Sequence, residues 1–258
     1  MRVLAVMYIV LIIVGCQDFE DVTIDQIVSK ISCDLENELD CESVTLAADG
    51  SSTLDIKLTL NKEAHLESAN INAELSIGKF KSSGTKNAII KPKFVFIDQE
   101  GEQDNEKRQV VATDQIIAPD SLGPMKLNFE IQGYRTEEIE LNLVKSKASK
   151  IELNSSAFSV KADFGSEVTI SGILKNEVGK KVTVGHEVRI RQYLENGDEF
   201  EGHFRSIQLI SNSKSSISFV YTPGKIEPNQ TITLVVEVYD NDLLTEATDS
   251  IEIFVAPN

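Results

Sequence analysis

One acidic turn near the carboxyl end of the chain carries the residues best suited to hold an ion. Asp240, Asn241 and Asp242 follow one another, and Asp249 lies seven residues further on. Ca²⁺ binds hard oxygen ligands gathered in a turn, so these four residues form a candidate calcium site. Asp and Asn also favour tight hairpin turns, because they cap their own backbone amides and tolerate left-handed conformations. Both interpretations predict a turn here, and no other cofactor is expected.

The sequence offers few residues for catalysis. It has three histidines, at positions 65, 186 and 203, and no tryptophan. Each histidine falls in a different predicted element without the spacing of a metal or catalytic motif, although His186 and His203 could approach each other in a folded domain. The sequence also has no Gly-x-Ser-x-Gly motif and no glycine-rich phosphate loop. We therefore predict a protein that is not an enzyme and has no catalytic residues.

A cysteine, Cys16, stands at the end of an apolar run at the amino terminus. Residues 3–14 are apolar without interruption, and Gly15 and Cys16 follow them. As a helix this run rises only about 18 Å, too little to cross a hydrocarbon core of about 30 Å, so it predicts a signal peptide. The residues Ile13-Val14-Gly15-Cys16 resemble the lipobox of bacterial lipoproteins.

The lipobox resemblance implies a lipid anchor. Residues 1–15 would be removed, the Cys16 thiol would take a diacylglycerol, and the new amino terminus would be acylated, for example with palmitate. Several acyl chains together hold a protein firmly on a membrane. An ordinary signal peptide followed by a chance cysteine is the alternative. The expected location is the bacterial cell envelope, at the outer membrane.

The segment after Cys16 is strongly acidic. Between residues 17 and 42 there are nine Asp and Glu residues against the single Lys30. Such a segment extends and stays solvated, so residues 16–42 are predicted to form a stalk. Within it, the apolar residues at positions 24, 27, 28 and 31 have helical spacing and allow one short amphipathic helix. The acids directly behind Cys16 also resemble the export signal of Bacteroidota lipoproteins, which implies exposure on the cell surface.

Cys33 and Cys41 are the remaining cysteines, with seven residues between them. A chain that leaves the cytoplasm enters an oxidising compartment, where a small loop-closing disulfide is the natural interpretation. A metal site would need further ligands, and the nearest histidine in sequence is His65.

The charge of the chain excludes one class of partner. Its 258 residues include 41 Asp and Glu against 25 Lys and Arg, which gives a formal net charge of -16. A strongly negative field repels phosphate backbones, so no nucleic-acid partner is expected. A hydrophobic content of 41% is enough to build cores, and the length suits two domains.

From residue 43 onward, apolar residues alternate with polar ones. Leu54, Ile56, Leu58 and Leu60 show this period of two, which is typical of half-buried antiparallel strands. A Lys- and Ser-rich break at 145–150 separates two such regions. We predict an all-β fold with two tandem immunoglobulin-like β-sandwiches, at residues 43–146 and 150–258. The alternation recurs at 71–77, 94–96, 125–131, 139–143, 168–170, 188–190, 217–221, 232–238 and 251–255.

An internal repeat supports two similar halves. Residues 43–60 align with residues 157–174 without gaps at an offset of 114, with five identities. The identical pairs are Ala48 with Ala162, Asp49 with Asp163, Ser52 with Ser166, Ile56 with Ile170, and Leu60 with Leu174. The repeat predicts the same turn followed by the same strand at the start of each half.

The turns resemble those of a known family. Ala48-Asp49-Gly50-Ser51-Ser52 before an alternating strand resembles the opening of the bacterial immunoglobulin-like domains of invasin- and intimin-type proteins, and residues 175–182 resemble their second turn. The tail at 238–251 is more similar to the last hairpin of polycystic-kidney-disease-type domains. The charged segment 98–108 departs from the compact invasin pattern. The resemblance implies the fold for both halves and leaves the subfamily open.

These observations lead to one functional expectation and one alternative. The expectation is a lipid-anchored envelope protein whose sandwiches act as a non-enzymatic surface spacer or adhesion module, binding protein or glycan partners through loop tips or strand edges. The alternative is an accessory glycan-binding or scaffold subunit of an envelope polysaccharide-handling or secretion machine. An aromatic content of only 6% weighs against the alternative, because aromatic rings stack on sugars.

Overall fold

Nearly all regular structure is β-strand in the computed structural model, which describes residues 24–34, 37–61, 69–96, 108–224 and 226–257. One helix, α1 (Ile24–Ile27), and one 3-10 turn (Cys41–Ser43) precede or interrupt the strands. The first eleven strands are β1 (Val28–Cys33), β2 (Thr45–Ala47), β3 (Thr53–Leu60), β4 (Ile71–Leu75), β5 (Lys79–Phe80), β6 (Asn87–Ile90), β7 (Lys93–Phe96), β8 (Arg108–Ile117), β9 (Met125–Ile131), β10 (Tyr134–Arg135) and β11 (Ile139–Val144). The others are β12 (Lys150–Ser155), β13 (Ser159–Lys161), β14 (Val168–Lys175), β15 (Glu187–Leu194), β16 (His203–Gln208), β17 (Ser216–Thr222), β18 (Gln230–Asp240) and β19 (Leu243–Ala256).

The strands form four sheets that follow one scheme twice. The first half has the orders β1-β3-β8-β5, with β7 beside β8, and β2-β11-β9-β4-β6, with β10 beside β9. The second half has β12-β14-β17-β16 and β13-β19-β18-β15. In each half the second strand crosses to the other sheet and runs parallel to the last strand. This is the strand order of an immunoglobulin sandwich, and the predicted fold class is confirmed.

Alternating side chains build two separate hydrophobic cores. Leu54, Ile56 and Leu58 point inward from β3 and are buried, as the period of two predicts. Ile71, Ala73 and Leu75 of β4 are buried in the same core, while β14, β17, β18 and β19 supply most of the second core. The apolar inner faces of paired sheets are thus covered in both halves.

The repeat found in the sequence is also a structural repeat. Asp49 accepts hydrogen bonds at Oδ1 from the backbone N–H groups of Ser51, at 2.7 Å, and Ser52, at 2.5 Å. At the offset of 114, Asp163 accepts the same two bonds from Gly165, at 2.9 Å, and Ser166, at 2.6 Å. The flanking strands agree, since β2 and β13, like β3 and β14, start at equivalent or adjacent positions.

The acidic stalk predicted at residues 16–42 needs correction at its end. Its last part belongs to the first sandwich, because β1 pairs antiparallel with β3 from Val28 opposite Leu60 to Cys33 opposite Ile56. The predicted amphipathic helix is limited to α1, since the chain becomes extended at Val28 to make this pairing. Glu38 pairs with Lys57, at 2.5 Å, and Lys30, at 3.1 Å, so part of the acidity of this segment is neutralised locally.

Cys33 and Cys41 form the predicted disulfide. Their Cα atoms are 4.7 Å apart, and both residues are buried in the first core. The bridge ties the edge strand β1 to the 3-10 turn that leads into β2. It therefore lies within the first sandwich and not in a solvated stalk.

Other sequence predictions fall outside the described residues. These are the signal peptide, Cys16 and the acids directly behind it, His65, and the charged segment after β7 up to residue 107. In the described part of the chain, no helix is long and apolar enough to cross a membrane.

Candidate functional site

The linker between the sandwiches, residues 145–149, is held by polar contacts with the second sandwich. Ser146 is buried, its backbone N–H donates to Thr183 Oγ1 at 2.7 Å, and its hydroxyl donates to the carbonyl of Lys181 at 3.0 Å. The Asn176 side chain donates to Ser146 Oγ at 3.1 Å. Because buried polar groups are costly to leave unpaired, these bonds fix the path of the linker.

Two further contacts act at the same junction. Lys145 and Asp240 form an ion pair whose side chains are only 20% and 14% exposed. The backbone N–H of Val184 donates to the carbonyl of Asp120 at 2.8 Å, which joins the second sandwich directly to the first. A partly buried ion pair is screened less by salt than a surface pair, so it helps to hold the orientation of the two sandwiches.

His186 is the buried histidine of the junction. It is 0% exposed, its Nδ1 lies 2.8 Å from the carbonyl of Thr183, and its Nε2 lies 3.3 Å from the backbone nitrogen of Ala148. These partners assign the proton to Nδ1, with Nε2 accepting from the linker. Burial lowers the pKa of His186 and nearby Lys145 lowers it further, while Thr183 and Asp240 oppose the shift. The neutral ring is the form that holds the linker.

A groove of about 640 Å³ lies beside the junction. Ala47 of the first sandwich and Leu243 and Leu244 of the second line it, together with the Lys145–Asp240 pair. Leu243 is 73% exposed and Val178, which also lines the groove, is 75% exposed. The junction thus combines buried polar contacts that hold the linker with an exposed apolar rim.

The acidic turn predicted as a calcium site is a hairpin turn. Asn241 and Asp242 have φ values of +49° and +62°, and they form the two-residue loop between β18 and β19. Positive φ at both positions is the mark of a type I′ turn. The structure corrects the calcium prediction, because it does not bring the candidate ligands together.

Each carboxylate of that predicted site has a different partner. Asp240 pairs with Lys145, and Asp242 with Arg189 at 2.8 Å. Asp249 lies opposite Val236 in the sheet and accepts the backbone N–H of Leu153 at 3.0 Å. Across the described ranges, no cluster of three or more His, Cys, Asp or Glu residues could hold a metal ion. His203 does not meet His186 and instead packs against Phe164, with ring centroids 5.2 Å apart.

A polar surface on the outside of the first sandwich was not predicted from the sequence. In the register of β6, β4 and β9, Ile89, Asn72 and Glu130 form one row. Asn87, Glu74 and Asn128 form the next row. We call these six residues, with Arg135 of β10, the polar face. A depression of about 690 Å³ lies over them.

Arg135 organises the polar face. Its Nε donates to Asn128 Oδ1 at 3.2 Å and its Nη2 donates to Glu74 Oε2 at 2.9 Å. Asn128 is 8% exposed, so this guanidinium holds a nearly buried amide in place. In the part of the chain that the structure describes, the side chains of Asn72, Asn87 and Glu130 make no hydrogen bond. They are free to meet a ligand.

Only the alternation in β4 and β9 signalled this surface. It places Asn72 and Glu74 outward, but sequence alone cannot show that β9 lies beside them or in which register. Arg135 stands in a two-residue strand too short to be recognised by periodicity.

No protein-family model and no curated protein matches the chain. Among solved structures, it is similar to the adhesin InvE of Yersinia pseudotuberculosis, with 11% identity, a TM-score of 0.46, and coverage of 89% of this chain and 60% of that one. It is also similar to invasin, described as a bacterial integrin-binding protein, with 14% identity, a TM-score of 0.37, and coverage of 90% and 41%. The D0-D1 domains of intimin have 13% identity, a TM-score of 0.31, and coverage of 88% and 99%.

These similarities include the two proteins whose turn motifs the sequence resembles. The chain spans 60% of the length of the InvE structure and 41% of the invasin structure. At such identities and TM-scores the comparison carries no information on function. The fold assignment therefore rests on the strand order, and the function has to be argued from the junction and the surfaces.

Proposed function

We propose that this protein is a lipid-anchored component of a bacterial cell envelope that acts as a non-enzymatic spacer and adhesion module. The observation that carries the proposal is the junction, where buried bonds from Ser146 and Ala148 and the Val184–Asp120 bond hold two sandwiches in series. Such an arm keeps its outer sheet faces at a fixed distance from its anchor. Partners bind on those faces and on loop tips, as sandwiches commonly allow.

The anchor is Cys16, by resemblance to the lipobox. It places the chain at the outer membrane, and the acids behind it direct the chain to the cell surface. Removal of the signal peptide leaves a short segment between the lipid and α1, so the first sandwich stands close to the membrane and the second further out.

Two measurements on the native bacterium test this proposal. Labelled palmitate is expected to enter the protein, and Cys16→Ala is expected to abolish both the label and membrane retention. Protease treatment of intact cells is expected to remove the second sandwich, with an epitope tag after residue 258 as the reporter. If the tag is cleaved only after the outer membrane is opened, surface display is overturned. If the wild-type protein takes up no palmitate and is not retained on the membrane, the lipid anchor is overturned.

The polar face favours the alternative of a glycan-binding accessory subunit. Its unpaired amide and carboxylate groups, Asn72, Asn87 and Glu130, are suited to hydroxyl-rich ligands. In this role the protein presents glycan to an envelope machine or scaffolds it. Deletion of the gene would then impair growth on, or export of, a polysaccharide, whereas a pure spacer would leave both unchanged.

A further inference from the structure

We infer that the polar face of the first sandwich binds a short neutral oligosaccharide. This inference deepens the proposed interaction role by naming a site and a class of ligand, and it rests on that role. The site is the depression over Asn72, Glu74, Asn87, Ile89, Asn128, Glu130 and Arg135.

The hydrogen-bonding groups of the face match hydroxyl groups. A sugar hydroxyl donates one hydrogen bond and accepts others, so it needs both acceptors and donors close together. The amides of Asn72 and Asn87 offer both, and the carboxylate of Glu130 offers acceptors. Asn72 and Glu130 are directly opposite each other in the sheet, where side chains lie about 5 Å apart. This spacing allows one ligand to contact both.

The charges of the face favour a neutral ligand. The guanidinium of Arg135 neutralises Glu74 at 2.9 Å and is itself engaged by Asn128. The remaining charge is the carboxylate of Glu130, on a chain whose formal net charge is -16. An acidic glycan would meet this negative field, and the one cation among the seven residues of the face, Arg135, is already paired with Glu74.

The face also has an apolar side and a suitable size. Ile89 is 63% exposed at the end of the row that contains Asn72 and Glu130, and it offers the C–H face of a sugar ring a contact without any aromatic residue. The volume of about 690 Å³ lies within the roughly 300 to 1,000 Å³ common for small-ligand sites. Arg135 holds Asn128 and Glu74 before the ligand arrives, which lowers the entropic cost of binding.

The test uses the full chain, purified in detergent, on an array of neutral and acidic oligosaccharides. Neutral sugars that bind are then titrated against the wild type, Asn72→Ala, Glu130→Ala and the matched control Thr233→Ala, which lies on the equivalent outer sheet of the second sandwich. We expect each of the first two variants to weaken binding at least fivefold and the control to leave it unchanged. Circular dichroism and the urea midpoint of each variant verify folding.

The salt dependence of binding distinguishes a neutral ligand from an acidic one. Binding of a neutral sugar is expected to change less than twofold between 50 and 500 mM NaCl, since no charge pair forms. The inference is overturned if no neutral sugar binds at millimolar concentration, if only acidic glycans or polypeptides bind, or if Asn72→Ala and Glu130→Ala bind like the wild type. Because the array needs no living cell, its failure is distinct from failure of surface display or lipidation.

Discussion

His186, the residue just before β15, accepts a hydrogen bond at Nε2 from the backbone N–H of Ala148. This bond connects the second sandwich to the linker. The opposite nitrogen, Nδ1, donates to the carbonyl of Thr183. A protonated ring would direct a second N–H at the N–H of Ala148, which repels it. The bond therefore exists only for the neutral ring, and acid acts directly on the junction.

The first prediction follows from this histidine. Its pKa is lowered by burial from an ordinary value of 6.5, so the unfolded chain binds the proton more readily than the folded chain. Stability therefore falls as the pH drops from 7 to 5, because the unfolded chain takes up the proton below about pH 6.5 while burial in the folded chain opposes it. Urea unfolding of the second sandwich at both pH values measures this loss. His186→Gln is expected to unfold more easily at pH 7 but to lose less between the two pH values.

Carboxylates contribute little to the change in unfolding free energy between pH 7 and pH 5. Those with lowered pKa values, such as Glu152 at about 2, lose their stabilising charge only at lower pH. An unchanged pH dependence in His186→Gln would exclude this histidine as the sensor.

The second prediction concerns the repeated aspartate turn. Asp49 is 1% exposed and accepts four hydrogen bonds from the backbones and hydroxyls of Ser51 and Ser52. Burial raises its pKa, but these bonds outweigh burial and the net pKa lies below its ordinary value. Asp49→Ala leaves these donors unpaired in a buried site, and we expect a loss of about 3 kcal/mol in the free energy of unfolding.

Asp163→Ala is the matched control, since Asp163 makes the equivalent backbone bonds in a more exposed turn. Its loss is expected to be clearly smaller. Equal losses in the two variants would show that burial does not govern the strength of this turn.

The third prediction concerns the disulfide. Its loop is short, so in the chain-entropy model its removal costs about 2 to 3 kcal/mol. The double variant Cys33→Ala/Cys41→Ala is expected to unfold at lower urea concentration in the first sandwich only. Reduction of the wild type with dithiothreitol should shift the midpoint in the same direction, and a midpoint insensitive to both treatments would contradict a structural role for the bridge.

The fourth prediction concerns the partly buried pair Lys145–Asp240. Asp240→Ala leaves Lys145 without its partner at the junction, which we expect to cost about 1 to 2 kcal/mol and to broaden the distances between the sandwiches. Spin labels on Ser83→Cys and Asn196→Cys report those distances by pulsed electron paramagnetic resonance. Asp242→Ala is the control: Asp242 lies in the same hairpin as Asp240, its exposed pair is with Arg189 of β15, and its loss should leave the distribution unchanged.

Periodicity predicted the core strands well and the edges poorly. β3 and β9 show clear alternation because one face of each is buried and the other wet. In β8, which lies between β3 and β7, Val110, Val111 and Ala112 are buried consecutively, so no period of two is visible. The stalk was misjudged because its apolar residues have helical spacing, whereas pairing with β3 makes the chain extended from Val28 onward.

The candidate sites show the same division. The disulfide and the repeated aspartate turn depend on short local spacing, which the sequence displays directly. The polar face depends on Asn72 standing opposite Glu130, residues that are far apart in the chain and meet only through sheet register. The calcium prediction was wrong because a run of Asp and Asn is typical of a turn as well as of an ion site. Its carboxylates pair instead with residues far away in the chain, such as Lys145.

The parallel pairing of β2 with β11 and of β13 with β19 has a mechanical consequence. Tension along the chain pulls the second and the last strand of a sandwich in opposite directions along their axes. Parallel strands loaded in this way are sheared, so their cross-strand bonds must rupture together and not one after another as in unzipping. A chain held at one end and gripped near the other would therefore meet two shear clamps in series, an arrangement suited to bearing load.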